Sequence, residues 1–210
     1  MNEYNVGDLI SDFLFENDLK TVFGVVSVHN IPILDAIAKR NLIKFIPARG
    51  EMGAGHMADG FARSSDKVGV VITSTGPGAA NVVGSIVEAR FAGTPLLHIT
   101  GQTATENLDK NQGTVHDVPN QLEMMKSVSK NAYRISSSKN VLEVLEKALE
   151  EATEEQVEDT QAEQDQVEEI LDSIEWIAEE NEEHMKVLIS AYYALRDQNG
   201  YTIPKEWRNG

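Results

Sequence analysis

An acidic residue, Glu51, opens the glycine- and alanine-rich stretch EMGAGHMADGFAR, which is typical of a close-packed helix. It follows a short apolar run, which predicts that its carboxyl group faces a ligand at a sheet edge. A carboxyl group in an apolar crevice favours its neutral form and is suited to proton transfer. The residue types alone equally allow a carboxylate that only stabilises the positive end of a helix dipole.

The glycine-rich run TSTGPGAAN, Thr73–Asn81, is a second candidate for chemistry. Such a run at a helix start is typical of a phosphate-binding turn. However, no Lys-Ser or Lys-Thr pair follows it, as a P-loop requires. A tight strand-to-helix connection is the alternative, and its glycines would permit close backbone approach in either case.

Two histidines, His29 and His116, lie in polar segments that we interpret as loops, where an imidazole can transfer protons near neutral pH. His98, inside an apolar run, and His56, on the alanine-rich stretch, are predicted to be packing residues. The chain has no cysteine, which excludes disulfides, thiolate metal sites and cysteine nucleophiles. No histidine pair has metal-ligand spacing, so we expect no metal site within this chain.

The elements that position these residues follow from hydrophobic periodicity. Apolar runs alternate with amphipathic stretches, which predicts an α/β fold: a doubly wound parallel sheet with helices on both faces. Its ligand site should lie beyond the carboxyl ends of the strands, with polar residues 102–120 forming a long loop over it. The predicted strands are residues 21–26, 42–46, 67–73, 95–100 and 129–135, and the predicted helices are residues 4–17, 31–38, 50–63, 78–91, 122–126 and 141–152.

The charge distribution indicates where this domain ends. Residues 149–184 contain 16 Asp and Glu and no Lys or Arg, which leaves 18 acidic against 18 basic residues elsewhere. We therefore predict a domain at residues 1–152, an acidic linker at 153–166, and an amphipathic helix with a C-terminal tail at 167–210. Binding to nucleic acid is not expected, because it requires clustered basic residues.

Membrane association and export are not expected either. No apolar run approaches the roughly 18 residues of a membrane span. The first residues, MNEYNVGDLI, lack the basic and apolar regions of a signal peptide. These observations predict a cytoplasmic protein.

Several ordered motifs together make the chain resemble the N-terminal, pyrimidine-binding (PYR) domain of thiamine diphosphate enzymes of the acetolactate synthase type, over residues 4–152. One departure is Val26-Ser27-Val28, where many acetolactate-synthase-like enzymes have Pro-Gly-Gly. The resemblance rests on VFGV at residues 22–25, the IPILDA that follows, RGEMGAGHMADGFAR at residues 49–63, TSTGPGAAN at residues 73–81 and AGTPLLHITGQ at residues 92–102.

The resemblance implies roles for individual residues. Glu51 corresponds to the glutamate that donates a hydrogen bond to N1′ of the aminopyrimidine, which favours the imino tautomer that deprotonates C2 of the thiazolium. Family members often use polar residues of the two loops that here carry His29 and His116 to act on the substrate. The resemblance therefore implies catalytic roles for these two histidines. The implied cofactor-binding residues, besides Glu51, are Ser74, Thr75, Gly76, Pro77 and Asn81.

The resemblance also implies a divided cofactor site. Family enzymes hold the diphosphate through magnesium, using a Gly-Asp-Gly motif in a second, PP-type domain, and this sequence has no Gly-Asp-Gly. We therefore expect magnesium only through a partner chain, in a homo-oligomer or with a PP-domain subunit, and no catalysis by the chain alone. The implied chemistry is decarboxylation or C–C bond transfer on a 2-oxo acid.

Two alternatives remain open from the sequence. One is a non-catalytic, PYR-derived interaction protein whose acidic tail docks onto another protein. The other is a truncated gene fragment fused to an unrelated C-terminus.

Overall fold

The structure, a computed structural model, describes residues 4–110 and 112–154, which form a parallel sheet flanked by helices. The amphipathic helix and tail predicted at residues 167–210, and nearly all of the predicted linker, lie outside the described residues. In chain order the elements are α1 (Val6–Glu16), β1 (Thr21–Gly24), α2 (Ile31–Arg40), β2 (Lys44–Pro47), α3 (Glu51–Ser65), β3 (Gly69–Thr73), α4 (Pro77–Asn81), α5 (Val83–Phe91), β4 (Leu96–Thr100), α6 (Gln121–Val128) and α7 (Val141–Thr153).

The four strands are parallel, in the order β2-β1-β3-β4. The chain passes from β1 to β2 on one side and then crosses to β3 on the other side of β1. Connections from β1 and β3 therefore leave the sheet in opposite directions, which opens a crevice at their carboxyl ends. This arrangement confirms the predicted α/β fold with its parallel sheet.

Apolar side chains alternate between the two sheet faces and form two cores. Val22 of β1 and Val70 of β3 belong to the first core, with residues of α1 and α7. Phe23 and Val71, their neighbours in sequence, belong to the second core, which α3, α5 and α6 cover. Both faces of these strands are buried, as their continuous apolar sequences predict.

The small residues of α3 bring this helix close to α5. Ala54 and Ala58 are fully buried. A Cβ atom at Gly55 would lie 1.9 Å from the hydroxyl oxygen of Ser85 on α5, so no larger residue fits there. Close packing within the chain thus explains part of the glycine- and alanine-rich pattern, and it fixes the start of α3 beside the crevice.

The strand predicted at residues 129–135 was wrong, because this segment is irregular in the structure. Its polar side chains bond to local backbone groups: the Ser129 hydroxyl donates to the Asn131 carbonyl at 2.9 Å, and the Asn131 amide oxygen accepts from the Ala132 N–H at 3.0 Å. Tyr133 bonds to Glu151 of α7. Such side-chain bonds compete with strand pairing.

The helix predicted at residues 78–91 is divided at Val82 into α4 and α5. The Val82 carbonyl accepts hydrogen bonds from the Ser85 N–H at 3.1 Å and from the Ser85 hydroxyl at 2.7 Å. A hydroxyl that bonds back to the preceding turn bends a helix, which accounts for the division. The short α4 carries Asn81, which bonds to Glu51 of α3.

Candidate functional site

Glu51 is the first residue of α3, directly after the N-cap Gly50, as the sequence predicted. Its side chain is half-buried. One carboxyl oxygen accepts a hydrogen bond from the Asn81 amide of α4 at 3.3 Å. The other lies 2.9 Å from the place that a Cβ atom at Gly78 would occupy. The carboxyl group of Glu51 therefore faces α4 across the crevice.

Side-chain hydroxyl groups bond to the backbone of the turn between β3 and α4. The Ser74 carbonyl accepts hydrogen bonds from the Thr73 hydroxyl at 3.0 Å and from the Thr100 hydroxyl at 2.8 Å. The Ser74 hydroxyl is buried and has no hydrogen-bond partner among the described residues. Ser74 thus has a polar group at the crevice that no residue of the described chain engages.

Glycine is required at two positions of this turn for different reasons. Gly76 has a φ of 56°, a backbone conformation that side chains disfavour, and a Cβ atom there would lie 1.9 Å from the carbonyl oxygen of His116. A Cβ atom at Gly78 would lie 2.7 Å from the Cβ of Ser74, in addition to its contact with Glu51. The turn is therefore pressed against both the long loop and α3.

His29 and His116 come together in space although they are 87 positions apart in the sequence. Their ring centroids are 5.1 Å apart, with the ring planes inclined at 55°. The Nδ1 atom of His29 is buried without a hydrogen-bond partner among the described residues, whereas His116 is exposed. The two loops that carry these histidines thus meet at the carboxyl end of the sheet.

Asn30 fixes the loop that carries His29. It is almost fully buried, and its amide oxygen accepts a hydrogen bond from the Ser27 N–H at 2.9 Å. Its amide nitrogen donates to the Val25 carbonyl at 2.8 Å. The connection after β1 is therefore a closed turn that presents His29.

Sequence reasoning missed Gln121, the first residue of α6. Its side chain is buried and bonds to Thr75, Gly76 and Gly101, which belong to two different loops. A polar residue before the segment LEMM, in which three of four residues are apolar, was the only signal in the sequence. Such a signal does not reveal contacts with residues 20 or more positions away.

His98 differs from these loop residues because it lies within strand β4. Its Nε2 atom is 2.8 Å from the Thr73 hydroxyl, and burial lowers the pKa of His98 from 6.5 to about 4. The predicted packing role of His98 agrees with this environment. His56 is exposed on α3, so the prediction that it packs in the interior was wrong.

Unpartnered polar atoms concentrate at one end of the described fold. Five buried side-chain polar atoms in that part of the chain lack hydrogen-bond partners, and four of them lie in the connections that follow β1, β3 and β4. Such groups are costly to leave unpaired unless a ligand or water engages them. The four belong to His29, Ser74, Thr103 and Thr114.

The described residues contain neither a membrane-spanning helix nor a metal-binding cluster. Within residues 4–110 and 112–154, no helix is long and apolar enough to cross a membrane. No group of three or more His, Asp or Glu in this same part of the chain is placed to hold a metal ion.

Comparison with known proteins identifies relatives of similar sequence. The chain is 39% identical over 102 residues to the mitochondrial acetolactate synthase catalytic subunit of Aspergillus candidus, and 41% identical over 102 residues to the acetolactate synthase large subunit of Lactococcus lactis. Each match covers 49% of this chain, but only 15% and 18% of the respective relatives.

A longer match joins the chain to the acetolactate synthase isozyme 3 large subunit of Escherichia coli, with 31% identity over 145 residues. It covers 68% of this chain and 24% of that relative. The chain therefore spans less than a quarter of the length of these relatives.

The matched family model is described as thiamine pyrophosphate enzyme, N-terminal TPP binding domain, and it matches residues 4–124, which is more than half of the chain. The match includes β1 to β4, Glu51, the β3 turn and both loop histidines. The parallel sheet agrees with this assignment. The chain belongs to the family of N-terminal, TPP-binding domains of thiamine pyrophosphate enzymes, and it is of the acetolactate synthase-like kind.

Proposed function

We propose that this chain forms the pyrimidine-binding half of a thiamine diphosphate site in an acetolactate synthase-like 2-oxo acid decarboxylase or C–C bond transferase. The observation that carries the proposal is the meeting of Glu51 with the β3 turn. A Cβ atom at Gly78 would lie 2.9 Å from a Glu51 carboxyl oxygen and 2.7 Å from the Cβ of Ser74. A carboxyl group and a free hydroxyl thus flank one small-residue surface.

The residues present fit the pyrimidine end of the cofactor. An aminopyrimidine has a flat face, ring nitrogens that accept hydrogen bonds and an amino group that donates them. Glu51 would hold a proton against a ring nitrogen, and the unpartnered Ser74 hydroxyl is available to its polar edge. Thr75, Gly76 and Pro77 would form the surface beside the ring, and Asn81 would orient the Glu51 carboxyl group.

When bound, thiamine diphosphate supplies the reactive thiazolium carbon for this chemistry. The chain's own contribution is to bind and orient the ring and to hold a proton at Glu51. Because Glu51 is only half-buried in this chain, a partner surface would complete its removal from water. That removal favours the neutral carboxyl group that can donate a hydrogen bond.

The two histidines would act on the substrate. His29 and His116 are in contact across the crevice, and the buried Nδ1 of His29 is free of partners among the described residues. An imidazole with an unengaged nitrogen can exchange a proton with a bound carboxylate or carbonyl group. We assign this pair to proton transfer during the reaction of the 2-oxo acid.

Activity would require a partner chain. The sequence has no Gly-Asp-Gly motif, through which family enzymes bind magnesium and the diphosphate. We propose that a PP-domain subunit, or another chain in an oligomer, supplies the metal and the diphosphate site. The cofactor would then lie between the two chains.

Exchange of the C2 proton of thiamine diphosphate tests this function. With a PP-domain partner and magnesium supplied, Glu51→Gln is expected to slow exchange by about 10²- to 10⁴-fold, the usual contribution of a positioned acid or base. Proton NMR in deuterated buffer measures the rate. The chain without its partner should give only the rate of free cofactor.

Glu88→Gln is the matched control, because Glu88 is an exposed carboxylate on α5 away from the turn. It should exchange at the wild-type rate. Wild-type exchange in Glu51→Gln, with the partner present, would contradict the assignment of Glu51.

A further inference from the structure

Gln121 connects two loops at the carboxyl end of the sheet. Its amide oxygen accepts hydrogen bonds from the Gly76 N–H at 2.7 Å and from the Thr75 hydroxyl at 3.2 Å. Its amide nitrogen donates to the Gly101 carbonyl at 3.1 Å. One side chain therefore binds the turn after β3 and the first residue after β4.

The orientation of this amide follows from its partners. A backbone N–H can only donate and a backbone carbonyl can only accept, so the amide oxygen must face Gly76 and the amide nitrogen must face Gly101. Gln121 is 5% exposed, which means that water cannot readily replace these bonds. Leaving a buried partner unpaired costs about 1–3 kcal/mol.

The same contacts hold the long loop against the turn. The carbonyl of His116 packs on Gly76, where a Cβ atom would lie 1.9 Å from its oxygen. Gly101 packs on His29, because a Cβ atom there would lie 3.1 Å from the His29 Cβ. Each backbone group bonded by Gln121 thus belongs to a residue that touches one of the two histidines.

We propose that Gln121 is a positioning residue: it fixes the pyrimidine-binding turn and the loops bearing His29 and His116 in one arrangement. Gln121 acts through Gly76 and Gly101, and it has no contact with reacting atoms in this role. The functional meaning of this role rests on the proposed thiamine diphosphate site. Its geometric part can be measured without the cofactor.

Amide hydrogen exchange in the full chain provides the first test. Gln121→Met has a side chain of similar length but leaves the Gly76 N–H unpaired, so the protection factor of this amide should fall about 10- to 100-fold. The NMR signals of the His29 and His116 rings should also shift. Gln102→Met is the control, since the Gln102 amide oxygen accepts only from the adjacent Thr103 N–H in the described contacts.

Gln121→Glu separates positioning from simple packing. Its carboxylate is repelled by the Gly101 carbonyl and is thereby displaced from the Gly76 N–H, whereas the protonated carboxyl group, which burial favours, can donate to that carbonyl and accept from Gly76. Protection of Gly76 in this variant should therefore be low at pH 8 and recover at pH 5, after correction for the intrinsic exchange rate. Gln102→Glu should show no such recovery. This comparison remains decisive if Gln121→Met does not fold.

Wild-type protection of Gly76 in Gln121→Met, or equal protection of Gln121→Glu at both pH values, would overturn the proposal. The cofactor provides the functional measurement: with the PP-domain partner and magnesium, Gln121→Met should weaken thiamine diphosphate binding about tenfold. Unchanged affinity would overturn the functional part. If Glu51→Gln retains wild-type C2 exchange while Gly76 loses protection, the proposed function fails and the positioning role of Gln121 stands.

Discussion

At the scale of single residues, the turn after β3 depends on a backbone conformation that side chains disfavour. Gly76 combines a φ of 56° with contact against the His116 carbonyl. Gly60, on the exposed side of α3, differs in both respects, because a Cβ atom there would meet nothing within 4 Å. The two glycines should therefore respond to alanine in opposite directions.

Gly76→Ala is expected to lower the free energy of unfolding by about 2–4 kcal/mol, since it adds backbone strain and a steric clash. Gly60→Ala should raise it by about 0.5–1 kcal/mol, because alanine loses less conformational entropy in a helix. Urea denaturation followed by circular dichroism measures both. Equal stability of Gly76→Ala and the wild type would show that the turn can relax without cost.

The places of some candidate site residues in the fold were predictable from local sequence, whereas their roles stay predictions. Glu51 follows an apolar run at a helix start, and the glycines of the β3 turn lie between a strand and a helix. Gln121 could not be predicted in this way. Its partners, Gly76 and Gly101, are brought to it by tertiary packing, and no local spacing encodes that contact.

At the scale of elements, apolar periodicity predicted the existence of helices and strands better than their limits. The predicted strand at residues 21–26 is confirmed, but β1 ends at Gly24, because the Asn30 side chain bonds to the Val25 carbonyl and closes the following loop. The false strand at residues 129–135 has the apolar and aromatic residues of a strand. Its polar residues bond locally instead, an outcome that periodicity does not report.

Helix α1 begins with a capping arrangement that can be tested directly. The Asn5 side chain accepts hydrogen bonds from the backbone N–H groups of Gly7 at 2.7 Å and Asp8 at 3.3 Å, while the Asp8 carboxylate accepts from the Asn5 N–H at 2.8 Å. These bonds satisfy donors that the first helical turn otherwise leaves unpaired.

Asn5→Ala is expected to lower the free energy of unfolding by about 1 kcal/mol, because it removes the cap. Asn5→Ser should retain most of the stability, since its hydroxyl can accept the same bonds. Urea denaturation of the three proteins measures the difference. If alanine and serine prove equally destabilising, the cap does not contribute through its hydrogen bonds.

At the scale of the whole molecule, strand and helix alternation predicted a parallel sheet covered on both faces, and the structure confirms it. The strand order β2-β1-β3-β4 was not predictable, because alternation is compatible with several orders. The order matters for function, since it places the connections after β1 and β3 at one crevice. Local sequence therefore indicated which residues could act, and topology determined which of them meet.

The stability of the sheet should depend on pH through His98, which joins β4 to β3. The Thr73 hydroxyl donates to the Ser74 carbonyl at 3.0 Å, so its oxygen is left to accept from the His98 Nε2–H at 2.8 Å. A neutral imidazole that carries its proton on Nε2 can make this bond. Burial lowers its pKa from 6.5 to about 4, because the charged imidazolium would lose its hydration there.

Between pH 6.5 and 4, the unfolded chain binds a proton at His98 that the folded chain does not, so stability falls as pH falls through this window. From pH 7 to pH 5 this loss amounts to about 2 kcal/mol. Urea denaturation of the wild type and His98→Gln at both pH values isolates it, since the other titrating groups are common to both proteins. The stability advantage of the wild type should shrink by that amount at pH 5, whereas an advantage that does not change with pH would show that His98 is protonated equally in both states.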